Sequence, residues 1–276
     1  MIAQVNGQPT YCYTGGKPFN PAQPTAVFIH GVLNDHSVWV LQTRYFAHHG
    51  WNVLAVDMPG HCRSAGKPAE SVEEAARFIV ALLDAVGVQK AALVGHSLGS
   101  LIALHTAASA PDRVSHLALV GTAFPMKVSP ALLDKSLNQP QQAIDMVNIF
   151  SRATLAPPPS ALGPGTWVFG GSKALMQRVL ASNPEVNLFY TGFKACDSYN
   201  AGLASMAAVQ CPILMVLGQN DQMTQPQAAQ ALLAQAPQTQ RVMLQTGHHL
   251  MNETPEGLLH ALTDFLAAPS LSRHTG

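Results

Sequence analysis

Four short runs in the first 121 residues are apolar at odd and even positions alike: "TAVFIH" (Thr25 to His30), "WNVLAVD" (Trp51 to Asp57), "KAALVG" (Lys90 to Gly95) and "VSHLALVG" (Val114 to Gly121). A strand with one wet face alternates apolar and polar residues. Unbroken apolar runs instead predict strands covered on both faces, as in a parallel sheet between helical layers. The intervening segments 38–48, 71–86 and 98–110 read as helices. The middle one carries the fullest set of signals: Ser71 in the N-cap position, Glu73 and Glu74 in the first turn, and Phe78, Leu82 and Val86 at four-residue intervals. Strand and helix in alternation predict a doubly wound, mostly parallel α/β sheet.

The pattern breaks after Gly121. Residues 123–207 show no strand alternation. They offer helix starts at Ser129-Pro130 and Ser172, a proline run at Pro157 to Pro159 and the loop "LGPGTWVFGG". Alternation resumes with "PILMVLG" (Pro212 to Gly218), a helix near 225–236, "RVMLQ" (Arg241 to Gln245) and a last helix near 255–267. The expected organisation is one α/β core made of residues 1–122 and 208–276, interrupted by a helical insertion, 123–207.

Composition narrows the partners. Fifteen basic side chains balance fifteen acidic ones, and only 11% of residues are charged, so no basic stripe is available for nucleic acid. The four cysteines, Cys12, Cys62, Cys196 and Cys211, are scattered without a CxxC pair, which fits a reducing cytoplasm. The start "MIAQVNGQPT" has no basic stretch leading into an apolar one, and no window approaches eighteen uninterrupted apolar residues. A soluble, cytoplasmic protein without a membrane span is expected. Twelve histidines invite a metal, but there is no HExxH, and His48-His49 and His248-His249 are adjacent pairs instead of residues spaced along one helix face. No metal is expected. With neither a Walker-type loop nor a Gly-x-Gly-x-x-Gly, no nucleotide cofactor is expected, and the expected cofactor set is empty.

The candidate chemistry centres on "VGHSLGS", Val94 to Ser100. Gly-x-Ser-x-Gly alone is a weak match, but here a strand run precedes it and a helix run follows it, the setting a nucleophilic serine elbow requires. Gly95 and Gly99 leave room for a sharp turn that strains Ser97 and exposes its hydroxyl. The competing reading is a serine that caps a helix. A serine nucleophile needs a base, and the base needs a carboxylate to fix its tautomer. Asp221 follows the strand "PILMVLG", and His248 or His249 follows "RVMLQ", which gives the chain order Ser, Asp, His.

With these segments in view the chain resembles the α/β-hydrolase fold family from about Ala22 to Leu266. "HGVLNDHSVW" is similar to the family's His-Gly loop, "DMPGHCRS" to its Asp-x-x-Gly-x-Gly-x-Ser turn, "GHSLG" to its nucleophile elbow, "GQNDQMT" to its acid loop and "GHHLMNETPE" to its histidine loop. The resemblance implies Ser97 as nucleophile, Asp221 as orienting acid and His248 as base, since His248 follows Gly247 and precedes Glu253 by five. It implies an oxyanion hole from the backbone N–H groups of Val32 and Leu98, and a lid role for the insertion. Cys62 departs from the family, which more often has glycine there, and that puts the geometry of its turn in question. Asp57 reads as structural, ending a strand, and His30 as a brace for the oxyanion loop.

The implied reaction is hydrolysis of a small, fairly apolar ester through an acyl-enzyme. Ser97 argues against epoxide opening and dehalogenation, whose relatives have aspartate there. C–C bond hydrolysis, thioester, lactone and perhydrolase chemistry stay open, as does a small-molecule receptor with slow turnover. His96, Trp39, Phe124, Met126, Trp167 and Met223 are candidate pocket residues, each with ordinary core packing as the alternative. The insertion has no compact arginine cluster to clamp a diacid or phosphate.

Overall fold

The computed structural model describes residues 1–153 and 167–267. Its centre is an eight-stranded sheet: β1 (Ile2–Val5), β2 (Gln8–Tyr13), β3 (Thr25–Ile29), β4 (Asn52–Val56), β5 (Ala91–His96), β6 (Val114–Val120), β7 (Ile213–Gly218) and β8 (Gln240–Leu244), in the spatial order β1-β2-β4-β3-β5-β6-β7-β8. Strands β3 to β8 are parallel to their neighbours, and β2 joins β4 antiparallel. Every residue of β3, β4, β5 and β7 is buried, the consequence of helices on both faces.

The N-terminal hairpin β1-β2 is not among the elements expected above. Its signal is nonetheless in the sequence. Asn6-Gly7 forms the two-residue turn, both residues at positive φ, between strands paired from Ile2↔Tyr11 to Val5↔Gln8.

Helices fill the crossovers: α1 (Val40–His48), α2 (Val72–Ala85) and α3 (Leu98–Ser109) precede β6. As expected, Ser71 caps α2, its hydroxyl accepting from the Glu74 N–H at 3.2 Å. Helix α3 runs behind the sheet centre and buries most of its length, since Leu98, Leu101, Ile102, Ala103, Leu104 and Ala107 spread around its circumference leave no polar face. Between β6 and β7 the described residues hold α4 (Pro130–Asn138), α5 (Pro140–Phe150), α6 (Val168–Ala181), α7 (Leu188–Ser198) and α8 (Gly202–Ala208). Ser129 caps α4 with Pro130 in its first turn, as the sequence suggests. Ser172 does not start a helix. It lies buried within α6, which begins four residues earlier at Val168. The proline run 157–159 and the first part of "LGPGTWVFGG" lie outside the described residues. The chain ends its described part with α9 (Gln230–Gln235), the single turn α10 (Leu250–Glu253) and α11 (Pro255–Ala267).

Three apolar clusters hold this together. Two flank the sheet, one around Leu54, Leu83, Leu93 and Leu119, the other around Phe28, Trp39, Val94 and Phe265. The third is separate and lies among the helices after β6, where Ile144 (α5), Met176 (α6) and Phe189 (α7) pack with Leu33. Chain order reverses between β3 and β5, since the chain leaves β3 to one side for β4 and returns on the other as β5. At such a switch point the loops leaving the carboxyl ends of the strands diverge and open a crevice. The registers Ile29↔Gly95, His96↔Val120 and Val120↔Val216 bring the ends of β3, β5, β6 and β7 side by side there.

Candidate active site

Ser97 stands between β5 and α3 with φ 55° and ψ −120°, a backbone conformation that costs a non-glycine residue about 1–3 kcal/mol. Its two glycines are sterically required. A Cβ on Gly95 would sit 2.0 Å from the Gly99 carbonyl oxygen, and one on Gly99 would sit 2.3 Å from that of Ile29. The turn can therefore be this tight only with glycine at both positions. Ser97 does not use its hydroxyl as a helix cap. Its backbone carbonyl accepts from Ser100 Oγ at 2.6 Å, and that hydroxyl also lies 2.8 Å from Thr122 Oγ1, which ties the elbow to the end of β6.

Asp221 and His248 arrive from the loops after β7 and β8. Asp221 Oδ2 lies 2.8 Å from His248 Nδ1, with both side chains buried. The other carboxylate oxygen, Oδ1, accepts the backbone N–H groups of Met223 and Thr224, each at 2.8 Å. Burial alone would raise this carboxyl, but His248 and the Thr224 donors outweigh it and hold Asp221 below the ordinary carboxylate range. Thr224 Oγ1 lies within hydrogen-bonding reach of Asp221 Oδ2, His248 Nδ1 and the Gly121 carbonyl. The sequence reading misses Thr224, although a threonine three residues after an aspartate is a local turn signal.

The histidine loop is clamped from below and from the side. Glu253 accepts the N–H groups of His249 (3.2 Å), Gly247 (3.4 Å) and Ala153 (2.9 Å). The His248 N–H donates to the Ser151 carbonyl at 2.7 Å, and the His248 carbonyl accepts from His96 Nε2 at 2.8 Å. His96 is buried to 1% exposure, and burial drives its pKa down to about 3, so its ring is neutral. It braces the loop from beneath, with its Nδ1 against Gly31.

On the β3 side, His30 Nε2 accepts the Met58 N–H, so Nδ1 carries the proton and donates to the Gly31 carbonyl at 2.8 Å. His30 thus sets the direction of the Gly31-Val32 loop. Leu98, the first residue of α3, has an N–H with no intrahelical acceptor. Asp57 accepts from the His36 and Arg63 N–H groups and lies 2.7 Å from His36 Nδ1, the structural role its position suggests. Cys62 has φ 46°, the left-handed backbone that a glycine would adopt at lower cost. Asp35, His36 and Asp57 form one group with metal-ligand spacing, but their polar atoms are committed to each other's loops and to Ser37 and Arg178.

Ser97, Val32 and His248 line one cleft of about 260 Å³ together with Met126, Met223, Leu132, Met146, Phe150 and Phe193. His96 lines a recess beside Ser97 and His248, and the three other expected pocket residues are placed elsewhere. Trp39 is fully buried under the sheet against Phe28, because its run faces the core and not the crevice. Phe124 packs over Gly202 and against Tyr199 in the core. Trp167 is 71% exposed and borders a different groove, between α6 and residues 34–41 at the start of α1. All four cysteines are free, and no helix among the described residues is long and apolar enough to cross a membrane.

Comparison with known proteins agrees with this architecture. The chain is 24% identical over 250 residues to an (E)-2-((N-methylformamido)methylene)succinate hydrolase of Acinetobacter baylyi, covering 87% of this chain and 89% of that protein. Among solved structures it resembles the enol-lactonase from Burkholderia xenovorans, with a TM-score of 0.82 at 20% identity, over 97% of this chain and 100% of the other. An esterase from Exiguobacterium antarcticum superposes with a TM-score of 0.82 at 16% identity, over 97% of this chain and 99% of the other. The family model for the alpha/beta hydrolase fold matches residues 24–255. With the strand order, the strained serine elbow and the crevice at the strand ends, that match shows that the chain belongs to the alpha/beta hydrolase fold family, as a hydrolase.

Proposed function

We propose that this hydrolase cleaves carboxylic ester bonds of small, fairly apolar substrates through an acyl-enzyme on Ser97. The observation that carries the reading is the strained Ser97 elbow opening onto the cleft shared with the hydrogen-bonded His248-Asp221 pair. In this mechanism Ser97 Oγ attacks the carbonyl carbon while His248 Nε2 takes its proton. Asp221 holds the imidazole with Nδ1 protonated and stabilises the imidazolium that forms. The N–H groups of Val32 and Leu98 receive the developing oxyanion, and the pre-set Gly31-Val32 loop keeps the reorganisation cost low. His248 then returns its proton to the leaving alcohol. Water, activated by the same ring, releases the acid.

We further assign residues 123–207 as a cap over a core of 1–122 and 208–276. Met126, Leu132, Met146, Phe150 and Phe193 come from this segment and form the apolar wall of the cleft, which supports both the assignment and an apolar substrate portion. One relative is named a hydrolase of an (N-methylformamido)methylene succinate and one structural neighbour an enol-lactonase, so lactones belong with esters among the substrates to test. The test is steady-state hydrolysis of short p-nitrophenyl esters by the wild type and Ser97→Ala. The expected result is turnover that falls by at least about three orders of magnitude in the variant. Equal rates would remove Ser97 from the mechanism.

A further inference from the structure

Behind Ser97 the cleft continues into a narrow recess of about 30 Å³ that shares Val32, Ser97, Phe193, Met223 and His248 with it. Val147, Met176, Phe189 and Phe193 form an apolar part of its lining, and four polar residues complete it. Asn34, His96, Ser151 and His249 all line it, and each is more than nine-tenths buried. Each also presents a side-chain atom without a hydrogen-bond partner among the described residues: Asn34 Oδ1, His96 Nδ1, Ser151 Oγ and His249 Nε2. Four residues around one small space that each carry such an atom are an unusual concentration, since buried polar atoms are nearly always paired and leaving one unpaired costs about 1–3 kcal/mol.

The roles of these atoms are partly fixed by their neighbours. Asn34 Nδ2 donates to the Val32 carbonyl at 3.2 Å, which leaves Oδ1, an acceptor, as its unpaired atom. His96 Nε2 must carry the proton it donates to the His248 carbonyl, so Nδ1 is a lone pair. His249 is also held neutral, by burial and by the nearby Arg152 charge. The recess thus offers two fixed acceptors and two adaptable groups, and no cation lines it. A carboxylate would meet lone pairs here. A hydroxyl, amine or amide N–H would meet acceptors.

Resting on the acyl-transfer reading above, we propose that this recess is a specificity subsite for a small neutral hydrogen-bond donor on carbon 2 or 3 of the acyl group. The substrate class is then a short hydroxy-substituted acyl ester, with its alcohol portion in the apolar cleft. The volume admits a substituent of one or two heavy atoms, or about two waters, and no longer chain.

The test compares isosteric pairs: ethyl 2-hydroxypropanoate against ethyl 2-methylpropanoate, and ethyl 3-hydroxybutanoate against ethyl 3-methylbutanoate. Each kcat/KM is divided by that ester's alkaline hydrolysis rate to remove intrinsic reactivity. At least one hydroxy ester should be favoured by about tenfold or more, a discrimination that polar sites reach readily. Ethyl 2-methoxypropanoate or 3-methoxybutanoate, which accept but do not donate, should lose that preference. Ser151→Ala and Asn34→Leu should each lower the hydroxy-to-methyl ratio at least about threefold. In parallel, Kd values for the same pairs are measured by NMR titration of Ser97→Ala, which binds without turnover. Tighter binding of a hydroxy ester there supports the subsite even if the wild type hydrolyses no ester, an outcome that would instead defeat the acyl-transfer reading. Equal Kd values in both pairs, or a preference that neither substitution changes, would overturn the subsite and leave the recess as a place for ordered water only.

Discussion

His96→Gln should flatten the acid side of the stability profile. In the folded chain the His96 ring is buried and neutral, with a pKa pushed down to about 3, whereas in the unfolded chain it titrates near the ordinary value of about 6.5. Below about pH 6.5 the unfolded state therefore takes up a proton that the folded state refuses, so stability falls as the solution is acidified. At pH 5 the unfolded imidazole is about 97% protonated, and integrating the linkage from pH 7 to pH 5 gives a loss of roughly 2 kcal/mol from this one residue. His30 and His249, also buried and depressed, act with the same sign. The depressed carboxyls Asp35 and Asp221 contribute stability that is lost only as pH falls below about 4, outside this window. Glutamine does not titrate, and its amide can still donate to the His248 carbonyl. Urea unfolding of wild type and variant at pH 7, 6 and 5 measures the difference. The wild type should lose about 2 kcal/mol more than the variant across the range, whatever their offset at pH 7. Parallel profiles within about 0.5 kcal/mol would refute the claim that His96 is held neutral by burial.

The remaining expectations concern the elbow and the relay. Gly99→Ala forces a Cβ against the Ile29 carbonyl and should cost more than about 3 kcal/mol by urea denaturation. Gly171→Ala, inside α6 with open space around it, should instead stabilise by about 0.5–1 kcal/mol, and similar effects from the two would discredit the steric argument. Asp221→Asn should lower kcat by roughly three to four orders of magnitude, because an amide at that position favours the wrong imidazole tautomer. A loss under tenfold would place Asp221 outside the relay. His248→Ala should match Ser97→Ala in ester hydrolysis, while His249→Ala should retain activity reduced about tenfold; the reverse ranking would exchange their roles.

The parallel core was readable because its strands are covered on both faces, which writes itself as unbroken apolar runs in β3, β4, β5 and β7. The edge hairpin escaped because β1 and β2 are half-exposed and short, and only Asn6-Gly7 announces the turn. At the site, residues fixed by local backbone geometry were legible: the glycines around Ser97, and the loops after β7 and β8. Residues defined by long-range packing were not. Whether an aromatic residue faces a cleft or the core depends on which helix covers it, and Trp39, Phe124 and Trp167 have three different surroundings. Ser151 lies in no motif, and Asn34, though within "HGVLNDHSVW", has no signal of its own there. They matter because the folded chain brings residues more than a hundred positions apart around one recess.

The nucleophile itself is tested most directly by intact-protein and peptide mass spectrometry after reaction with a fluorophosphonate probe. Attack by an activated serine predicts a single adduct, mapped to Ser97, in the folded protein. It also predicts that labelling slows by at least about a hundredfold in His248→Ala, since the hydroxyl then lacks its base. An adduct on any other residue, or labelling at Ser97 that proceeds equally fast without His248, would contradict the mechanism.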